Sequence, residues 1–234
     1  MNKTTSEQNK IRSVGQLLRE IVFGAEDGMV STLGAITGIA IGSGDQYTIL
    51  LSGCVIIAVE SISMGIGSYL SNRSFNEVTQ KVVDDEKVQL KKFPREEEKE
   101  LYSMFLRDGW EKDLAFKMAQ SASFNKKLML KEHEYRELGI FPNQNQQPIQ
   151  NAFFMFISYI IGGTLPIISY LFFPISMAIY FSVALTLMGL FCLGALTTLF
   201  TNAKPIKVGL RLVLMGGFSF IVGLLVGNVF SMMK

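Results

Sequence analysis

Two neighbouring carboxylates, Glu26 and Asp27, stand inside the glycine-rich apolar run from Arg19 to Gly44, REIVFGAEDGMVSTLGAITGIAIGSG. An ionised group at hydrocarbon depth is expensive, so acids occur there chiefly where they line a water-filled or ligand-filled path. A second apolar run, AVESISMGIGSYLS, carries Glu60 and Met64 four residues apart, one turn along the same helix face. Carboxylate oxygens suit hard cations and a thioether suits softer ones, so the set predicts a site for a divalent transition metal. Glu20 lies seven residues before Asp27 and shares its face, but it reads equally as a partner of Arg19 or a cap on the run. Glu26 points elsewhere on the wheel, towards the path or the headgroup level. The apolar runs offer Asp27 no Lys, Arg or His, which favours an ion route over a structural pair. Met64 is the weaker member, since methionine in such a helix commonly only packs.

A second group lies in the polar segment that follows. Glu97 and Glu100 are spaced i, i+3, as are Glu134 and Glu137, and His133, the only histidine, adjoins the second pair. Such pairs from two helices can cage a divalent ion, as in helical carboxylate sites. The plain alternative is a solvated charged helix face with a surface histidine.

These residues need elements to hold them. Of 234 residues 49% are hydrophobic, and the apolar ones fall in long runs: Leu138–Ala203 and Leu212–Met233 contain no Asp, Glu, Lys, Arg or His. Each run is at or beyond the roughly 20 residues a helix needs to cross a bilayer. The expectation is an all-α integral membrane protein of five transmembrane helices, about Val22–Ile41, Tyr47–Leu70, Ala152–Phe173, Ile175–Phe200 and Leu212–Met232. The first two must hide Glu26, Asp27 and Glu60 inside the bundle. Arg12 and Arg19, the long polar loop, and Lys204, Lys207 and Arg211 alternate with loops poor in basic residues. By the positive-inside rule the N-terminus and the long loop are cytoplasmic and the C-terminus faces away. An odd span count and no internal repeat argue against an inverted repeat within the chain, so a homodimer would complete a central path. Gly34, Gly38 and Gly42 suit close helix approach, either to a second copy or to another helix of the same chain.

Three parts follow: residues 1–72 with the first two spans, a helical segment and linker at 73–150, and 151–234 with the last three spans. In the middle part, span two continues towards Phe93 with Phe75, Val78 and Val82 as its apolar stripe, and Pro94 breaks it. Helices are expected at Glu96–Leu106, Lys112–Ser121 and Lys126–Leu138, with a turn at Asp108-Gly109 and a polar linker at 141–148. This part mixes 14 basic with 14 acidic residues, which argues against a nucleic-acid-binding face. Cys54 and Cys192 fall in apolar runs and read as small core residues rather than a disulfide. There is no phosphate loop, no Cys with a nearby His and no cleavable leader pattern, so neither an enzyme nor an ATP-driven pump is expected, and no resident cofactor.

The arrangement RE-x6-DG-M-VST-x-G, then S-MGIG-x-YLS, then NAFFMFISYIIGGTLP, resembles the vacuolar iron transporter family over nearly the whole chain from Arg19. The resemblance implies a dimeric five-helix carrier exchanging cytosolic Fe2+, and often Mn2+, for protons across the bilayer. Glu20, Asp27 and Met64 would then line the translocation site, while the family's further span-two glutamate falls on Ile56 and Glu60 stands one turn later. In the loop the family's metal-binding glutamates fall on Glu86, Glu97 and Glu100, with Gln89 at a fourth position. Its later set falls on His133, Glu134 and Glu137. The family's vacuolar setting applies in a eukaryote; a plasma membrane is the expectation in a prokaryote. Two other functions compete: a membrane-anchored metal sensor or storage protein, and a carrier of an unrelated substrate. The first leaves the acids in the apolar runs unexplained, and the second leaves the paired carboxylates of both regions unexplained.

Overall fold

The computed structural model describes residues 3–140, 146–201 and 203–233, with side chains from Val14 onward. Among the described residues the regular structure is helical: α1 (Lys3–Ser43), α2 (Gln46–Lys92), α3 (Pro94–Arg107), α4 (Lys112–Ser123), α5 (Lys126–Arg136), α6 (Pro148–Phe172), α7 (Ile175–Thr197) and α8 (Pro205–Met232). A short 3-10 turn, Thr198–Phe200, follows α7. Two compact units result, residues 1–71 with 147–234 and residues 72–146.

Among the described residues four helices are long and apolar enough to cross a membrane: α2, whose N-terminal half belongs to the first unit, α6, α7 together with the 3-10 turn, and α8. α1 does not reach that measure, for its middle carries Glu20, Glu26 and Asp27 and its first third is polar. Proline sets two helix starts, because the missing N–H of Pro148 and Pro205 falls where a helix has no acceptor for it. α1 is the packed centre of this unit and lies against α6 and α8. A Cβ on Gly223 of α8 would fall on the carbonyl oxygen of Gly34, and one on Gly162 of α6 on that of Ala25, so only hydrogen fits at either seam. Gly34, Gly38 and Gly42 thus find their close neighbours, Ser219, Gly223 and Gly227, within the same chain. Ile36, Ile49, Ile57, Ile167 and Tyr170 form the apolar core between α1, α2 and α6. Cys54 and Cys192 are exposed free thiols and not core residues. On an apolar helix the outward face is as hydrophobic as the inward one, so composition does not tell them apart.

The second unit packs α3, α4 and α5 against one another, and the C-terminal part of α2 joins them through Glu86 and Leu90. Leu101, Met104, Phe105, Ala115, Ala119, Ala122 and Met129 make its core. Pro94 starts α3, and Glu96 and Glu97 in its first turn complement the helix dipole. The turn after α3 uses Gly109 at φ +92°, and Asn125 caps α5 by accepting from the Lys127 and Leu128 amides. Arg136 lies over the Phe105 ring and pairs with Glu132 and Asp108. The expected stripe on α2 is overturned: Phe75 and Val78 are exposed, and Val82 is 38% exposed. The inward positions are Asn72, Asn76, Thr79, Val83, Glu86 and Leu90, a helical series in which polar residues predominate. Asn76 both donates to the Gln146 carbonyl and accepts from its amide. Most of the linker expected at 141–148 lies outside the described residues, which resume at Gln146.

Candidate metal centre

That polar inward face of α2 brings Glu86 to the centre of the second unit. Glu86, Glu97 from α3, and His133 and Glu137 from α5 each offer one ligand atom, all within 4.8 Å of one another. His133 is fully buried, Glu86 and Glu97 nearly so, and Glu137 sits at the opening. His133 Nδ1 is 2.9 Å from Glu137 Oε2, 3.1 Å from Glu86 Oε1 and 3.6 Å from Glu97 Oε2. Bonds of about 2.0–2.2 Å from one ion to nitrogen and oxygen ligands put those ligands at such separations.

Three carboxylates in so small a volume repel one another. Burial, and then the charge of Glu137, push the Glu86 carboxyl up to about 6, with Glu97 and Glu100 adding and His133 opposing. The Glu97 carboxyl is raised too, first by burial, with Glu100 and Glu137 adding and His133 opposing. Glu86 Oε1 and His133 Nε2 are buried without hydrogen-bond partners among the described residues. Three buried or part-buried carboxylates with one histidine leave an excess of negative charge that is costly to bury, and a divalent cation would offset it. One nitrogen with three oxygens is a borderline-hard donor set.

The two i, i+3 pairs do not enter as pairs. Glu97 turns inward while Glu100 is exposed, and Glu137 joins the cluster while Glu134, half-buried, does not. Residues three apart differ by about 60° around a helix, enough to turn one of each pair off the bundle axis. The i, i+4 couple His133–Glu137 is aligned instead.

The acids of the first unit are spread along two helices rather than gathered. Glu20 is buried and both its oxygens are engaged, one by Arg19 at 2.6 Å and the other by the Ser68 hydroxyl of α2 at 2.8 Å. Glu26, Asp27 and Met64 are half-buried. Glu60 is exposed, contrary to the expectation that the bundle of one chain would hide it. Its neighbours on α2, including Val59 and Ile62, are more than half exposed as well. Asp27 and Glu60 are close enough for their charges to interact, as are Glu26 and Arg211. Along α2, Glu60, Met64 and Ser68 recur every four residues, opposite the acidic side of α1.

Sequence reasoning missed Ser68, Ser31 and Tyr159. Ser68 follows Met64 by one turn and was findable by extending that series. Tyr159 of α6 is fully buried with its hydroxyl 2.7 Å from that of Ser31, and no spacing rule links residues 128 positions apart.

A family model described as the VIT family matches residues 18–228. Vacuolar iron transporter 1 of Eucalyptus grandis is 28% identical over 208 residues, which cover 88% of this chain and 84% of that protein. Vacuolar iron transporter 1 of Arabidopsis thaliana is 26% identical over 88% of this chain and 83% of its own length. The vacuolar iron transporter of Plasmodium falciparum is 25% identical over 91% of this chain and 81% of its own.

Proposed function

The chain belongs to the VIT family, a family of transporters rather than enzymes, and from that premise we propose that it carries divalent metal, Fe2+ and also Mn2+, out of the cytosol in exchange for protons. The observation that carries this reading is the convergence of buried Glu86, Glu97 and His133 with the more exposed Glu137, their ligand atoms within 4.8 Å of one another, in a chain whose apolar helices hold Asp27 and Glu60. Buried carboxylates without enough positive charge recruit a cation, and they bind it only when deprotonated, so metal and proton compete for the same oxygens. In this scheme the cluster captures the ion, with Glu100 and Glu134 adding negative potential at its edge. Asp27, Glu60 and Met64 pass the ion on, and Glu20 stands two turns before Asp27 on the same face of α1.

We count α1 as a fifth span because it lies against α6 and α8 along seams too tight for any other side chain. The N-terminus and residues 72–146 are assigned to the cytoplasm from the distribution of basic residues. Two copies would form the working unit: Glu60 on an open apolar face needs cover from lipid, and a second chain presenting the same face gives it.

Purified protein in sealed proteoliposomes, given external Fe2+ or Mn2+ under an imposed pH gradient, tests the reading. Metal should move against its own gradient and stop when a protonophore removes the pH difference. A folded protein that binds metal but yields no flux would establish the sensor or storage alternative instead.

A further inference from the structure

Serine and threonine hydroxyls in helices usually donate back to a carbonyl three or four residues earlier. Ser43, Ser61, Ser103, Ser123, Thr164, Thr197 and Thr198 all do so here. Ser31 departs from that habit. Its Oγ lies 2.7 Å from the Tyr159 hydroxyl. Ser31 follows Asp27 by four residues, so the two share a face of α1 about 6 Å apart along its axis.

The approach of α6 to α1 makes this contact possible. A Cβ on Gly28 would strike the Tyr159 carbonyl, and one on Gly24 would lie 2.7 Å from that of Met155. The two backbones are therefore nearly in contact at the level of Asp27, and Tyr159 reaches Ser31 from behind. Tyr159 is wholly buried, while Ser31 is only half-buried, on the half-buried side that Asp27 shares. Two hydroxyls sharing one hydrogen bond leave a proton and lone pairs over. The Tyr159 hydroxyl also feels the charges of both Asp27 and Glu60.

We infer that Ser31 Oγ is a further oxygen ligand on the ion's route, one turn beyond Asp27, and that Tyr159 is the positioning residue that holds it there. This rests on the route proposed above. A neutral hydroxyl next to a carboxylate makes chemical sense: conduction needs a first site that draws the ion in and a following one weak enough to release it. A second carboxylate at this level would trap the ion.

The test uses the full-length protein in proteoliposomes, with initial rates measured against Mn2+ and Cd2+ concentration. Ser31→Ala should raise KM for Mn2+ about fivefold, the equivalent of one lost polar contact, with Tm unchanged. Ser31→Cys puts a softer atom at the same place and should shift preference from Mn2+ towards Cd2+, which a merely structural serine would not do. Tyr159→Phe keeps the ring and loses the hydroxyl; it should raise KM in the same direction, and the double variant with Ser31→Ala should be no worse than the single ones. If Ser31→Ala keeps the native KM and Ser31→Cys the native Mn2+/Cd2+ ratio while Asp27→Asn is inactive, the pair is only a link between helices and the inference fails alone. If Asp27→Asn transports normally, the route itself is wrong and the inference falls with it.

Discussion

The two acidic regions of this chain are built on opposite plans. In the unit of residues 72–146, four ligand side chains from three helices meet within 4.8 Å and are largely buried. In the apolar unit Glu26, Asp27 and Glu60 are strung along α1 and α2, half-buried or exposed, while Glu20 is buried with both oxygens engaged. A converged, desolvated set of ligands holds an ion; a dispersed one lets it go. On the function proposed above, the contrast divides capture from passage, and each half can be attacked on its own.

The largest effect should come from the dispersed half. Asp27→Asn keeps size and hydrogen bonding but removes the charge that offsets the ion's partial dehydration, so flux in proteoliposomes should fall to near background while the protein still purifies folded. Native flux in this variant would erase the distinction between the regions.

Changing Glu86, Glu97 and Glu137 together to Gln should cost less. Equilibrium dialysis of the full-length protein should show loss of the tight metal, and transport should fall only when metal is scarce. The outward pair, Glu100→Gln with Glu134→Gln, serves as the control and should leave the tight site in place. A triple variant that transports nothing at saturating metal would make the cluster part of the gate.

The same cluster sets a pH signature. Glu86 titrates near 6 in the folded chain against 4.5 for the ordinary carboxyl, so the fold favours its protonated form. Its contribution to stability is therefore full below about 4.5 and is lost as pH rises through 6. Added Mn2+ should raise Tm clearly at pH 7, where the carboxylates are free to ligate, and hardly at pH 5. A metal-induced shift equal at both values would count against carboxylate ligation.

The smallest effect belongs to Met64→Leu. Packing volume is conserved, so stability should change by less than about 1.5 kcal/mol. Transport of Fe2+ should nonetheless weaken relative to Mn2+, because the sulfur favours the softer ion. An unaltered Fe2+/Mn2+ ratio would leave Met64 as packing alone.

Much of the helical layout was legible because its signals are local. Pro94 divides α2 from α3, and Asp108-Gly109 turns the chain between α3 and α4. Helix ends were less so: α1 runs upstream to Lys3 and α8 begins at Pro205, because hydropathy marks the apolar stretch and not the helix that contains it. The second unit defeated periodicity outright. Apolar Phe75 and Val78 face outward while Asn72 and Glu86 face inward, so a rule that buries what is oily picked the wrong side of α2. Glu86 was reached only through family resemblance. Spacing alone likewise left Gly34, Gly38 and Gly42 with two possible partners, and the choice of α8 depends on Gly223 and Gly227, nearly two hundred residues away.

The tightness of α6 against α1 has a consequence for how variation in this chain should be interpreted. Gly28 sits beside Asp27 in sequence, yet what fixes it is the Tyr159 carbonyl on the other side of the helix. A survey of random substitutions would find position 28 as intolerant as position 27 and invite the conclusion that both serve the ion. Conservative changes tell them apart: at Asp27 even an isosteric replacement should be inactive, whereas at Gly28 the loss should scale with the volume added, whatever its polarity. Intolerance along α1 would then record two pressures superimposed on one helix, one for charge and one for thinness, and only the first would follow the metal.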